Sequence, residues 1–484
     1  MSAPAVRLIC AGCGREARGP HPFRCEAAGS DDADHVVTPV IDAARLAFAA
    51  DGAANPFVRW RTLTHAYHLA AAHGIDDAAY VALVDALDAR IAAVDGHGFA
   101  VTPCVPHARL GGRFGFAADG LWVKDETANV SGTHKGRHLA AIALHLEVVE
   151  RAGLATRAEH DRRGLAIASC GNAALAAAVI ARATGRPLSV FIPEDAEPPV
   201  VERLAALGAE IRVCPRAPGV PGDPTVHAFR AAVRAGAIPF CCQGSENGLN
   251  LEGGKTLGWE IAAALAARGA APERLFVQVG GGALASALIR GLREAVALGA
   301  LRRMPRVHAV QTCAVHPLRR AYEEVRARVL GADAPPGIEA PADPCAALEL
   351  RAACAADAEA AARMAAPPLG DAVAAALAHA RRHRSRYMRP WQTPQPSAAH
   401  AMLDDETYDW HAIATGMIES GGYPVVVSEP LLAEANAWAR EATGIRVSVT
   451  GSAGLAGLMA LRGAGRLGRY GDTMVLFTGA DRTD

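Results

Sequence analysis

The sequence predicts an α/β protein with largely parallel sheets, because short apolar runs alternate with alanine-rich stretches of helical composition from about residue 163 onward. A parallel strand pair needs a long crossover, usually a helix, so this alternation is typical of repeated β/α units. Predicted strands cover residues 165–168, 188–192, 211–214, 275–279, 307–310, 425–427, 445–449 and 474–477, and predicted helices cover 285–292 and 429–443.

The composition excludes several classes of protein. Of the 484 residues, 51% are apolar and 20% are charged, and the net charge is -1, which argues against a nucleic-acid or polybasic membrane surface. No apolar run reaches the ~18 residues of a membrane span, and the N-terminus lacks the apolar segment of a signal peptide. Eleven cysteines, an odd number, fit a reducing compartment, so we expect a cytoplasmic protein.

Residues 1–40 form a separate, loop-rich module with three close cysteines. Cys10-Ala-Gly-Cys13-Gly followed by Cys25 is a fragment of a zinc knuckle, but position 28, where a fourth cysteine would lie, is Ala. Zinc requires four ligands, so His21 or His35 would have to complete the set. We therefore expect a degenerate, metal-free module, with zinc bound by Cys10, Cys13 and Cys25 as the alternative.

Lys135 is the most informative residue of the chain. It lies in a short polar run, Lys124-Asp-Glu-Thr-Ala-Asn-Val-Ser-Gly-Thr-His-Lys135-Gly-Arg137, just before an alanine- and leucine-rich helix, and it is one of only three lysines, with Lys124 and Lys255. A lysine that attacks an aldehyde must be positioned and partly desolvated. Alone, the segment could equally be a surface loop that precedes a helix.

Two small-residue loops that follow predicted strands could bind anions. Ser169-Cys-Gly-Asn172 lies between an apolar run and a helix, where free backbone N–H groups suit a carboxylate. Gly280-Gly-Gly-Ala-Leu284 would let the backbone approach a phosphate. The second loop is neither a dinucleotide fingerprint, since Ala285 occupies the third glycine position, nor a Walker loop, since it lacks Gly-Lys-Ser/Thr.

These segments, in this order and followed by Thr450-Gly-Ser-Ala-Gly454, resemble the pyridoxal-phosphate (PLP) enzymes of the tryptophan-synthase-β fold, fold type II, and threonine synthase most closely. The stretch Asn250-Leu-Glu-Gly-Gly-Lys-Thr256 is also similar to threonine synthases. The resemblance covers about residues 100–315 and 415–460. It implies two parallel-sheet α/β domains and a homodimer. The large domain would comprise residues 41–138 and 251–484, and the small domain residues 139–250.

The resemblance also implies roles for individual residues. Lys135 would form the Schiff base with PLP and act as general base. The other cofactor contacts would be Asn172, the phosphate-binding Gly280, Gly281, Gly282, Ala283 and Leu284, and Thr450 at the ring nitrogen, with Ser452 as the competing hydroxyl. His134 would either touch the phosphate or be a packed histidine. The substrate contacts would be Ser131, Ser169, Cys170, Gly171 and Ala173, with Arg137 and Lys255 either facing a substrate anion or lying on the surface as solvated cations.

The long connection over residues 330–412 interrupts the β/α pattern. It carries proline-rich patches, an alanine-rich helix near 370–380 and a basic run at 381–386. A connection of this length is either functional or disordered. The aromatic residues Tyr387, Trp391, Tyr408 and Trp410 argue against disorder in its second half, so we predict an irregular insertion that could reshape the substrate entrance.

Three functions remain open at this point. The first is a PLP-dependent β- or γ-elimination or replacement on a small amino acid, as in threonine synthase. The second is an ammonia-lyase that acts on a hydroxy amino acid such as threonine, serine or hydroxyaspartate. The third is a non-catalytic or nucleotide-binding protein of related fold; an intact Lys135 argues against the former, and the lack of an acidic ribose-binding residue after a strand argues against the latter.

Overall fold

A computed structural model of the chain describes residues 4–48, 52–216, 220, 222–331, 347–392, 395–467 and 471–482. The strands are β1 (Val6–Cys10), β2 (Val37–Ile41), β3 (Cys104–Pro106), β4 (Leu121–Asp125), β5 (Leu165–Ala168), β6 (Leu188–Ile192), β7 (Glu210–Val213), β8 (Ile238–Pro239), β9 (Arg274–Gln278), β10 (Arg306–Thr312), β11 (Val425–Val427) and β12 (Thr473–Phe477).

The helices connect these strands as crossovers or pack on their faces. They are α1 (Pro56–Arg59), α2 (His65–Ala72), α3 (Asp77–Asp95), α4 (Ala108–Gly112), α5 (Lys135–Arg151), α6 (Arg157–Arg163), α7 (Asn172–Thr184), α8 (Pro198–Ala206), α9 (Pro224–Arg234), α10 (Asn250–Arg268), α11 (Ala283–Ala297), α12 (Pro317–Leu330), α13 (Ala347–Met364), α14 (Gly370–Arg382), α15 (Arg384–Tyr387), α16 (Trp410–Ser420), α17 (Glu429–Thr443) and α18 (Val449–Gly463). None of these helices is both long and apolar enough to cross a membrane.

Three sheets organise the described residues, and they confirm the predicted α/β class. The large sheet has the strand order β11-β10-β9-β12-β4-β3 and is parallel except for the β3–β4 pair. The small sheet has the order β7-β6-β5-β8 and is parallel throughout. The N-terminal module is built on the antiparallel pair β1–β2.

Two sequence predictions about secondary structure need correction. Residues 445–449 form no strand: Val447 makes one isolated bridge to Ala480, and α18 begins at Val449 because the Ser448 hydroxyl accepts a hydrogen bond from the Gly451 N–H at 3.0 Å. The insertion over 330–412 is largely helical, since α13, α14 and α15 lie within it. Its segments 332–346 and 393–394 lie outside the described residues.

Four fully buried charges join the large sheet to α5 and α10. Arg137 donates to Glu126 at 2.7 Å and to Glu260 at 2.5 Å, and Lys124 donates to Glu260 at 2.5 Å. Burial alone would raise the pKa of Glu126, but Arg137 and Lys124 lower it to about 2. Because two cations face two carboxylates, the cluster is neutral, and it fixes the first turn of α5 against β4.

We expect Glu126→Gln to lower the free energy of unfolding by about 3 to 5 kcal/mol, because removal of one carboxylate leaves buried cations without a counter-charge. Since the folded-state pKa of Glu126 is depressed, its contribution is present above about pH 4 and is lost as the pH falls toward 2. Urea unfolding at neutral pH measures the change. Glu210→Gln, which removes a carboxylate that is 58% exposed, serves as the control and should have little effect. Equal unfolding midpoints for the two variants would contradict the structural role of the cluster.

Candidate active site

A cavity of about 760 Å³ opens at the carboxyl ends of β5, β9 and β12. In parallel α/β sheets this edge is where ligands bind, because strands end there and helices begin. The cavity is lined by residues of the loops after these strands, by the starts of α5 and α18, and by part of the insertion. The lining includes His134, Lys135, residues 168–173, Gln278, residues 280–284, Thr450, Thr478 and residues 400–405.

Lys135 is the one lysine that lines this cavity. Lys124 is fully buried against Glu260, and Lys255 donates to Glu294 at 3.0 Å from a side chain with no exposed surface. All three lysines of the chain lie within the described residues, so Lys135 alone is placed to react with a bound aldehyde. The preceding turn, Val130–Gly132, orients the start of α5.

His134 lies beside Lys135 and lines the cavity. Its Nδ1 donates to the Thr478 carbonyl at 3.0 Å, while Nε2 is buried without a protein partner. Burial, and then the charge of Lys135, lowers the pKa of His134 well below its usual value. In the neutral ring Nε2 is therefore a hydrogen-bond acceptor, and it could donate to a phosphate only after taking up a proton.

Thr450, rather than Ser452, lines the cavity. The Thr450 Oγ1 is buried, has no protein partner and lies in the second position of α18. The Ser452 Oγ points away, where it accepts from Asn436 at 2.9 Å and donates to the Ser448 carbonyl at 3.1 Å. A buried hydroxyl without a partner is costly unless a ligand supplies one.

The glycine-rich loop packs tightly against the insertion. A Cβ at Gly280 would lie 2.4 Å from the Asp404 carboxylate, and Gly282 has a φ of 98°, so the loop requires glycine at both positions. The Asp404 carboxyl also lies beside Gly281, where a Cβ would be 3.5 Å from the carboxyl carbon. Burial raises the pKa of Asp404 to about 6, and the nearby Asp223 and Asp405 add to this effect. A carboxylate thus lies on the loop that was predicted to bind phosphate.

The loop Ser169–Asn172 presents the open N-terminus of α7 to the cavity. Gly171, the residue before the helix, provides no side chain to cap the free N–H groups, so an anion can bind there. Cys170 lies in this loop, and burial together with nearby carboxylates raises the pKa of its thiol to about 11, which keeps it neutral. The Asn172 side chain accepts a hydrogen bond from Arg482.

The structure does not bring Arg137, Lys255 or Ser131 to the cavity, so the expectation that they bind substrate is not met. Arg137 and Lys255 have no exposed side-chain surface and are held by buried carboxylates, which also excludes the alternative of solvated surface cations. Ser131 has a φ of 58°, and its N–H donates to Asp95 at 2.7 Å. Its role is in the turn that precedes Lys135.

Sequence reasoning missed several cavity residues. Gln278 ends β9 two residues before Gly280. Its Nε2 donates to the Gly451 carbonyl at 2.7 Å, while its Oε1 has no protein partner. Thr478 follows β12 directly. Both residues could have been predicted from the rule that ligand-binding residues lie at the carboxyl ends of parallel strands. Asp404 could not have been predicted in this way, because it lies in an insertion that contains no recognisable motif.

The N-terminal module brings its three cysteines together with a histidine. Cys10, Cys13, Cys25 and His35 each place one ligand atom within 4.8 Å of the others. His21, the other histidine considered, lies elsewhere, with its Nε2 at 2.8 Å from the Nε2 of His160. Of the two histidines that the sequence left open, His35 is therefore the one that lies beside the three cysteines.

A protein-family comparison matches residues 97–391 to the family described as pyridoxal-phosphate dependent enzyme. Among curated proteins, part of this chain is similar in sequence to serine dehydratase-like proteins. The mouse protein is 29% identical and the human protein 33% identical, each over 177 residues, or 36% of this chain. The match spans 47% of the length of each of these relatives.

Solved structures with the same fold include enzymes of amino-acid metabolism. The processed form of threonine deaminase isoform 2 from Solanum lycopersicum superposes with a TM-score of 0.53 at 13% identity, covering 84% of this chain and 91% of that chain. Diaminopropionate ammonia lyase from Escherichia coli superposes with a TM-score of 0.54 at 16% identity, covering 83% and 88%. At these identities the likeness establishes the fold.

We expect Thr450→Val to weaken PLP binding by roughly 2- to 12-fold, the value of one hydrogen bond of about 0.5 to 1.5 kcal/mol. The variant should unfold like the wild type, because the Thr450 hydroxyl has no protein partner. Ser452→Ala should behave in the opposite way, with unchanged PLP affinity and lower stability, since it removes the acceptor of Asn436. Equilibrium dialysis and urea unfolding measure the two quantities. Loss of PLP affinity in Ser452→Ala alone would contradict the assignment of Thr450.

Proposed function

Because the chain belongs to the family of pyridoxal-phosphate dependent enzymes and uses that cofactor, we propose that it catalyses a β- or γ-elimination or replacement on a small amino acid. Lys135 is the proposed Schiff-base lysine and general base. One observation carries this proposal. Of the three lysines, Lys135 alone lines the cavity, while Lys124 and Lys255 are buried in ion pairs.

The residues around the cavity fit the cofactor. Thr450 Oγ1 and His134 Nε2 are buried polar atoms without protein partners, and the glycine loop leaves its backbone close to the cavity. Thr450 suits the pyridine nitrogen and the glycine loop suits the phosphate. The Asp404 carboxyl lies against Gly280 and Gly281, so cofactor binding requires this carboxyl to be protonated or to move. Bound PLP supplies the electron sink that acidifies the α-carbon of an attached amino acid.

Each protein group then has a task. Lys135 holds the cofactor at rest and, as the released amine, takes the proton from the α-carbon. The N–H groups at the start of α7, beside Ser169 and Gly171, orient the substrate carboxylate. A neutral hydroxyl such as that of Thr450 would not hold a pyridine ring protonated, which would favour elimination and replacement over transamination.

The charge of the cavity restricts the substrate side chain. Apart from Lys135, the one lysine or arginine in its described lining is Arg216, whereas the acidic residues are Glu194, Asp195, Glu197, Asp223, Asp404 and Asp405. Asp195, Asp223 and Asp404 lie close enough to Cys170 to raise the pKa of its thiol. With Asp404 protonated or displaced by the cofactor, the other five carboxylates still repel a phosphorylated side chain and tolerate a neutral or positively charged one.

Within the proposed reaction class we therefore favour elimination from a substrate such as serine, threonine or 2,3-diaminopropionate over the use of O-phosphohomoserine. Threonine-synthase chemistry on a phosphorylated substrate would need cations that bind the phosphate. The two candidates from the sequence, Arg137 and Lys255, are held in buried ion pairs.

The cytoplasmic location and the homodimer stay predictions. Light scattering of the purified protein tests whether it is a dimer.

We expect the purified holoenzyme to release ammonia and an oxo acid from at least one of L-serine, L-threonine and 2,3-diaminopropionate, and to use O-phosphohomoserine least. Lys135→Ala and Lys135→Arg should each reduce the rate by at least about 10²-fold, because neither residue can replace the lysine amine. Coupled assays of ammonia and oxo acid measure the rate.

Glu210→Gln, on the exposed edge of the small sheet, is the matched control and should keep full activity. A Lys135→Ala rate equal to that of the wild type would overturn the proposed function. A preference for O-phosphohomoserine would leave the role of Lys135 intact and overturn the charge argument.

A further inference from the structure

The N-terminal module holds four potential metal ligands in one compact cluster. The His35 Nδ1 lies 3.3 Å from the Cys10 Sγ, and the Cys13 and Cys25 sulfurs are 3.5 Å apart. Zinc bound tetrahedrally at ~2.3 Å from sulfur would place its ligand atoms roughly 3.8 Å apart. Separations of at most 4.8 Å among all four atoms are close to that value.

A hydrogen bond orients the histidine as a ligand. The His35 Nε2 lies 2.8 Å from the Asp31 Oδ1, and the ring is 3% exposed. A proton on Nε2 that is donated to Asp31 leaves the lone pair of Nδ1 directed at the cysteines. Metal-binding histidines are held by a carboxylate in this way, which fixes the tautomer and raises the basicity of the ligand.

The backbone brings the ligand loops into close contact. Cys10 ends β1, and the turn back to Cys13 is closed by a hydrogen bond from the Gly14 N–H to the Cys10 carbonyl at 2.9 Å. Gly12 packs against the segment that carries His35, just before β2: a Cβ at Gly12 would lie 2.7 Å from the Asp34 carbonyl. Close packing of the Cys10–Cys13 turn against the segment with His35 therefore brings these ligands together, and Cys25 joins them from a third segment.

We propose that Cys10, Cys13, Cys25 and His35 bind one zinc ion. Three thiolates and one imidazole form a closed set without an open position, which is the composition of a structural rather than a catalytic zinc site. The site is separate from the cavity of Lys135, because none of its four ligands lines that cavity.

The metal site is connected to the insertion beside the active site. Asp34, next to His35, lies 3.3 Å from the Arg384 guanidinium, and Arg384 donates to Glu406 at 2.5 Å. Asp32 accepts from the Ser385 N–H at 3.0 Å. Glu406 lies two residues from Asp404, which faces the glycine loop. Zinc would therefore stabilise the segment that closes one side of the cavity.

Metal analysis of the purified, reduced full-length protein tests the site. We expect about one zinc ion per chain, lost in Cys13→Ser and in His35→Ala and retained in the control Cys214→Ser, which alters a cysteine outside the cluster. Asp31→Asn should weaken zinc binding about 10- to 100-fold in competition with a chelator, since it removes the partner of His35. Replacement by Co²⁺ should give the visible spectrum of a tetrahedral thiolate site, which reports the ligand set without relying on enzyme activity.

Two results would overturn the proposal. The first is a folded, reduced protein that contains no zinc and takes up neither Zn²⁺ nor Co²⁺. The second is zinc at equal content in the wild type, Cys13→Ser and His35→Ala, which would place the ion elsewhere. Because Cys13 is exposed, its serine variant is expected to fold even if the alanine variant of buried His35 does not.

Discussion

The buried cluster of Lys124, Glu126, Arg137 and Glu260 is the interaction on which the active site depends. An unpaired charge in such a place costs several kcal/mol, so each member holds the others in position. Arg137 lies two residues after Lys135, and the cluster therefore sets where α5 begins and where the lysine amine lies. The strand that leads to the glycine loop, β9, is in register with β4 through β12, which pairs with both.

The cavity combines two opposing electrostatic demands. The start of α7 and the glycine loop provide N–H groups for anions, while the wall formed by Asp223, Asp404 and Asp405 is acidic. The raised pKa values of Asp404 and Asp405, each about 6, lower their mean charge near neutral pH. The insertion thus decides which charges the site tolerates, and the N-terminal module supports the insertion through Arg384. In this account, parts of the chain far from Lys135 in sequence determine substrate choice.

Much of the fold could be predicted from the sequence, because apolar runs between helices mark the strands of a parallel sheet; β5, β6, β11 and α17 have the predicted bounds. The family and its cofactor are confirmed. The sequence could not distinguish Thr450 from Ser452, since both hydroxyls lie on one short helical turn and only packing decides which one faces the cavity. It also could not show that Arg137 and Lys255 are paired inside the protein, because their partners Glu260 and Glu294 are distant in sequence. The sequence offered His21 and His35 as a fourth zinc ligand, and only the tertiary fold shows which of them lies beside the cysteines.

Borohydride reduction of the holoenzyme followed by peptide mass spectrometry tests the central claim most directly. With only three lysines in the chain, the map is unambiguous. We expect the reduced cofactor on the peptide that contains Lys135 and no modification of the peptides with Lys124 and Lys255, because those amines are buried in ion pairs. Label on Lys124 or Lys255, or a folded protein that incubation with PLP leaves unlabelled, would contradict it.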